Sequence, residues 1–241
     1  MSFSSWRGTV GIVKPTLRPG GLEELIRLLP EGIGVVPLSN NIRRGTREEF
    51  AEVMAAFEDK VRQLAEADVD LINPSGAPPF MVLGFKGERE LIAAWEKKYG
   101  KPIFTSGMTH IDALNAFKAK RFVGVTYFRG EINKTYANYF ADAGLECLEM
   151  AGMDVDFDKV QELSSHAVYR FIKQAFLANR GAEAIYMLGP GWRTLDIIEP
   201  LEQDLGVPVV QAVTAQSWDI QRRLHVRQPV SGYGRLVAEL P

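Results

Sequence analysis

The chain has 241 residues, 46% of them apolar and 24% charged, a mixture that supports a packed core and argues against disorder. With 28 basic and 30 acidic side chains the net charge is -2, so no basic excess points to nucleic acid or to an anionic membrane surface. The longest uncharged run, Leu71 to Phe85, is too short and too broken by proline and glycine to span a membrane, and Met1 to Trp6 lacks an apolar signal core; a cytoplasmic protein is expected. Along the chain, short apolar runs alternate with helical patterns. Strands are expected near Gly8–Val13 and Ile33–Leu38. Thr46 and Glu49 then have the spacing of a capping box, and Phe50, Val53, Met54, Phe57, Val61 and Leu64 behind them share one helical face. Further strands are expected near Val69–Asn73, Pro102–Thr105, Arg121–Thr126 and Leu145–Met150. Asp158 to Asn179 reads as one long helix with Val160, Leu163, Ala167, Phe171 and Ala175 buried. Strands near Ala184–Leu188 and Val207–Val210 complete eight βα units, which imply parallel sheet covered on both faces.

Eight such units close into one barrel or divide into two open sheets. Internal repetition favours two halves. Arg121–Phe128 echoes Gly8–Pro15, Ala184–Gly191 loosely echoes Asp70–Gly76, and Gly206–Ala215 matches Gly100–Thr109 best. The expected architecture is α/β, with two pseudo-symmetric, open, parallel-sheet, Rossmann-like halves and the site in the cleft between them. Residues 1–117 and 219–241 would make one half and residues 118–218 the other. The loops after the first and third strand of each half are unusual: Lys14–Leu17, Asn73–Pro79, Thr126–Arg129 and Leu188–Arg193. Ligands of open α/β sheets bind beyond the carboxyl ends of strands, which would gather these loops around one cleft.

Three segments resemble the Asp/Glu racemase superfamily, within it the maleate isomerase and arylmalonate decarboxylase branch: Arg193–Glu202 continued by Leu205–Val210 and Ala215–Trp218; Thr126–Asn133; and Val10–Pro15. The resemblance implies two similar α/β halves and proton transfer at a carbon beside a carboxylate, carried out by one or two cysteines at the ends of the third strands. Those positions align with Asn73 or Pro74 and with Gly189, and the family tyrosine aligns with Phe128, one place after Tyr127. The only cysteine, Cys147, lies elsewhere and is expected to be structural; alone, it excludes an internal disulfide and a cysteine-based zinc site. What the resemblance still implies is carboxylate binding by hydroxyls and backbone N–H groups acting as an oxyanion hole. Tyr127 and Ser75 are the expected catalytic residues, with Thr16, Asn73, Gly76, Phe128, Gly189, Gly191 and Trp192 lining the substrate. Gly189, in place of a thiol, should enlarge the pocket, with Trp192 and Phe128 as apolar walls. Arg43, Arg44, Arg129 and Arg193 are candidates for a charged clamp, and each also reads as a solvated surface arginine.

Other chemistries fit less well. Gly189–Thr194 half-resembles a dinucleotide fingerprint, but the third glycine and the ribose-binding acid are missing. His110, His166 and His225 lack metal-ligand spacing, and no cofactor is expected. His110, at the start of a helix, is either a base facing the cleft or a helix residue with no chemical role. The function read from the sequence is a cofactor-independent lyase, decarboxylase or isomerase on small carboxylic or dicarboxylic acids, stabilising an enediolate-like intermediate without a catalytic cysteine. The alternative is a non-catalytic carboxylate-binding or regulatory relative. The expected partner is a small carboxylate, with neither nucleic acid nor membrane; self-association is left open.

Overall fold

The computed structural model describes residues 3–241; Met1 and Ser2 of the N-terminal stretch lie outside the described residues. Strands β1 (Gly8–Lys14), β2 (Ile33–Ser39) and β3 (Leu71–Pro74) form one parallel sheet in the order β2-β1-β3. Strands β4 (Arg121–Thr126), β5 (Glu146–Gly152), β6 (Ala184–Met187) and β7 (Val209–Gln211) form a second, in the order β5-β4-β6-β7. The first strand of each set sits inside its sheet between the second and third, so both sheets are open and neither closes into a barrel. The fourth expected strand, Pro102–Thr105, makes only an isolated parallel bridge between Ile72 and Ile103. Pro102 has no N–H to give a ladder, and Thr105 is already committed as a helix cap.

Helices cover the sheets: α1 (Gly21–Leu28), α2 (Arg47–Glu52), α3 (Met54–Glu66), α4 (Ala77–Met81), α5 (Gly84–Tyr99), α6 (Ser106–Ala116), α7 (Glu131–Asp142), α8 (Ser165–Ala178), α9 (Ile198–Leu205), α10 (Ala212–Arg223) and α11 (Arg235–Glu239). The best sequence repeat has a structural equivalent. Helices α5 and α9 each end on a left-handed glycine, Gly100 (φ 64°) and Gly206 (φ 71°), where a Cβ would be strained. Five residues later a side chain caps the next helix: Thr105 Oγ1 accepts from Met108 N, and Gln211 Oε1 from Val213 N and Thr214 N. The two capped helices, α6 and α10, pack against each other, and Thr109 Oγ1 donates to the buried Asp219 Oδ2 at 2.9 Å. One apolar cluster joins Val10 and Ile12 of β1 to Val123 and Val125 of β4, so the sheets share a core.

Two helical expectations need correction. Thr46 does cap α2 through Glu49 N, but the Glu49 carboxylate folds back onto the N–H groups of Arg43, Arg44 and Gly45. A single turn residue, Val53, separates α2 from α3; Phe50, Phe57, Val61 and Leu64 are buried, while Val53 and Met54 are only partly so. The expected helix from Asp158 to Asn179 is two elements, a 3-10 turn at Phe157–Glu162 and α8. Leu163 is extended, and Ser164 caps a new start by accepting from Ala167 N. The restart resets the phase, so Val160, Val168 and Ile172 are buried and Leu163, Ala167, Phe171 and Ala175 only partly.

Candidate active site

At the carboxyl ends of β1, β3, β4 and β6 the connecting loops surround a cleft that opens to solvent. Thr16, Ser75, Gly76, Tyr127, Phe128 and Gly191 all line it, so residues as far apart in sequence as 16 and 191 converge. Phe50, Phe157 and Leu188 add apolar wall.

Three expected site residues do not line the cleft. Asn73 is fully buried behind it, donating to Phe104 O at 2.6 Å and accepting from Gln216 Nε2 at 2.6 Å. Trp192 is buried behind Tyr127, edge to face at 5.1 Å, with its indole N–H on Leu188 O. Gly189 opens no space: a Cβ there would lie 2.5 Å from the Cβ of Ala212, because the first residue of α10 already fills the position. At Gly191 a Cβ would lie 2.6 Å from the Tyr127 ring, so a glycine is what lets the phenol sit against the loop.

The source of anion complementarity also differs from expectation. Several backbone donors are already spent: Ser75 N on Val13 O, Gly76 N on Ser106 Oγ, and Gly191 N on Gly189 O. The short helix α4 adds little, because Pro78 and Pro79 have no N–H. Arg43, Arg44, Arg129 and Arg193 do not line the cleft; Arg129 pairs with Asp154 and Arg44 with Glu52. Among the described residues the lining cations are Lys14 and Arg18, and no Asp or Glu lines the cleft. Lys14 Nζ donates to Arg18 O at 2.9 Å, and the Arg18 guanidinium lies 4.0 Å from the Phe157 ring centroid. The signal for Lys14 and Arg18 was their place in the loop after the first strand, beside Thr16.

Burial pushes the Tyr127 phenol up to about 12, and the Arg18 charge pulls the other way. Tyr127 therefore stays protonated at neutral pH, with a cation beside the oxygen that would carry charge if it gave up its proton. His110 also lines the cleft, fully buried, and desolvation pushes its imidazole down to about 3. It is neutral throughout the physiological range and a poor proton acceptor. Cys147 lies on β5 outside the cleft lining, half-buried against apolar neighbours. No cluster of His, Cys, Asp and Glu among the described residues suits a metal, and no helix of the described residues is long and apolar enough to cross a membrane.

The fold and cleft define a parallel α/β protein of two open sheets whose carboxyl-end pocket is apolar, hydroxyl-bearing and positively charged. Residues 26–237 match the arylmalonate decarboxylase family, and the chain belongs to it. It is 23% identical over 237 residues to arylmalonate decarboxylase from Bordetella bronchiseptica, covering 96% of this chain and 97% of that one. Among solved structures it resembles a cysteine-to-alanine variant of the maleate isomerase of Pseudomonas putida S16 with maleate (TM-score 0.88, 21% identity, 96% of this chain and 97% of that). It also resembles a variant of Nocardia farcinica maleate cis-trans isomerase with a covalently bound succinylcysteine intermediate (TM-score 0.86, 22% identity, 96% and 98%). At these identities the structural likeness establishes the fold.

Proposed function

We propose that the protein is an enzyme acting on a small carboxylic acid, and that it moves a proton at the carbon beside the carboxylate without a cysteine. The observation that carries this reading is the charge pattern of the cleft: two cations and four hydroxyls line a largely apolar pocket, with no carboxylate among the described residues that line it. A carboxylate is held there by Lys14, Arg18 and the hydroxyls of Thr16 and Ser75, with the remainder of the acid against Phe128, Phe157 and Leu188. Thr16 Oγ1 accepts from Arg18 N at 3.3 Å, which leaves its O–H free to donate. The decarboxylase and isomerases named above support the assignment to carboxylic acids. The covalent cysteine chemistry named for the Nocardia enzyme has no equivalent in this cleft, since the only cysteine of the chain does not line it.

Tyr127 enters as the acid. Loss of carbon dioxide from a malonate leaves the electron pair on the α-carbon as an enediolate. Tyr127, held protonated by burial, delivers its proton to that carbon, Arg18 stabilises the phenolate that this leaves, and solvent returns a proton to it. The test is carbon dioxide release from phenylmalonate in D2O, with deuterium incorporated at the α-carbon of the phenylacetate formed, both followed by NMR. Tyr127→Phe should lower turnover about 100-fold or more while ligand binding persists. A Tyr127→Phe protein that keeps its turnover overturns the role of the phenol. Binding without decarboxylation in the unaltered protein favours the non-catalytic reading.

A further inference from the structure

Helices α6 and α10 carry the same caps in the two halves of the chain, and a shift of 106 residues relates them: Thr105 corresponds to Gln211, Ser106 to Ala212, and His110 to Gln216. Ser106, His110, Ala212 and Gln216 all line the cleft. The same position on each of two packed helices thus brings a polar side chain to one floor, at the junction of the halves.

The hydrogen bonds of these side chains are incomplete in a specific way. Both imidazole nitrogens of His110 are buried with no partner, and the ring is held at 4.9 Å from that of Tyr186. Gln216 spends one amide N–H on Asn73 Oδ1, which fixes the side chain and leaves Oε1 as an acceptor and the second N–H as a donor. Ser106 Oγ accepts from Gly76 N at 3.0 Å, which leaves its O–H as a donor. A neutral imidazole brings one donor and one acceptor. The floor therefore offers both donors and acceptors and carries no charge of its own. Leaving a buried polar group unpaired is costly, so the fold keeps His110 in an arrangement that a bound group would complete.

We propose that Ser106, His110 and Gln216 form a second subsite in which the substrate places a hydroxyl, so that the preferred acids are hydroxy acids. This rests on the carboxylate reading of the cleft. A hydroxyl gives one hydrogen bond and accepts another, which matches the floor's mixture of donors and acceptors; a second carboxylate, with acceptors only, does not.

The test compares the binding of phenylacetate, mandelate and 4-hydroxyphenylacetate by calorimetry. The hydroxyl lies near the carboxylate in mandelate and far from it in 4-hydroxyphenylacetate. One of the two hydroxy acids should bind about tenfold or more tightly than phenylacetate. That preference should collapse toward unity in His110→Phe and in Gln216→Met. His110→Phe removes two unpartnered buried nitrogens, so its thermal midpoint should be unchanged or higher, the opposite of what a histidine serving only the fold would show. Gln216→Met provides the same readout should His110→Phe fail to fold. With only three histidines in the chain, and His166 and His225 exposed, 15N-histidine NMR should show the preferred acid moving the His110 ring signals. Equal binding of all three acids, or a preference that survives both substitutions, overturns the subsite and leaves the carboxylate reading intact. Binding of none of them overturns both.

Discussion

Replacing Gly189 with alanine tests directly how the β6 loop is packed. The glycine does not adopt a left-handed conformation, so the substitution is resisted by space alone. The new Cβ would lie 2.5 Å from Ala212 Cβ and 3.3 Å from Ala212 Cα. The shorter of these is about 1 Å inside ordinary carbon–carbon contact. Ala212 cannot retreat freely, because Gln211 pins the first turn of α10 through Val213 N and Thr214 N. Overpacking of this kind costs about 1–3 kcal/mol. At about 2–4 °C per kcal/mol for a chain of this size, the thermal midpoint should fall by about 2–12 °C. Adding Ala212→Gly removes the opposing Cβ and should restore most of the loss, although Ala212→Gly alone costs up to about 1 kcal/mol. Calorimetry on the four proteins of the cycle measures this coupling. An unchanged midpoint for Gly189→Ala, or a double variant no better than the sum of the two singles, would refute the packing argument. The same clash means that Gly189→Cys alone should not deliver a thiol to the cleft.

Three further outcomes are expected. Burial pushes the Glu24 carboxyl up to about 7, above its unfolded value of 4.5, so the folded state binds the extra proton between those values. Stability should therefore fall as pH rises from about 4.5 to about 7, by up to about 3 kcal/mol, and Glu24→Gln should flatten that part of a midpoint-against-pH curve; a slope that survives the substitution shows that other groups set it. Asp219, fully buried, accepts from Thr109, Arg222 and Arg223, so Asp219→Ala should cost about 2–3 kcal/mol in urea unfolding with no change in m. Burial pushes the Cys147 thiol up to about 12, so iodoacetamide at pH 8 should alkylate the folded protein more than about 100-fold more slowly than the unfolded chain; Cys147→Ala should leave ligand affinity unaltered.

Much of the architecture could be read from local pattern. Buried parallel strands are continuous apolar runs, so β1, β4 and β6 were placed to within a residue or so of their observed ends. The repeat of Gly100–Thr109 in Gly206–Ala215 was legible because the αL glycine and the cap five residues later are fixed by backbone conformation and recur in sequence. Pro102–Thr105 was over-read, since its apolar character serves burial at a sheet edge and only Ile103 bridges to a strand. The phase of α8 was lost because one extended residue, Leu163, restarts the helix, and a periodicity count across the break averages two phases.

At the site, loop position predicted convergence, and Thr16, Ser75, Gly76, Tyr127, Phe128 and Gly191 do share one cleft. Which side chains of a loop face inward depends on neighbours distant in sequence. Ala212 occupies the space beside Gly189, and Asn73 turns away to hold Phe104 and Gln216. The same dependence hid Arg18, whose place is set by stacking on Phe157, distant in sequence. It also hid the correspondence of His110 with Gln216, which appears only once the caps of α6 and α10 are superposed.

No strand ladder joins the two sheets among the described residues; packing and single bonds such as Gln216 to Asn73 and Thr109 to Asp219 hold the junction together. In the language of amide exchange, that junction is a seam. Local opening should begin where few backbone hydrogen bonds would have to break, and the first turns of α6 and α10 lie on its two banks. A ligand in the cleft touches both banks at once and ties them together. Its occupancy should therefore slow exchange in both turns in step, although they are 106 residues apart in sequence.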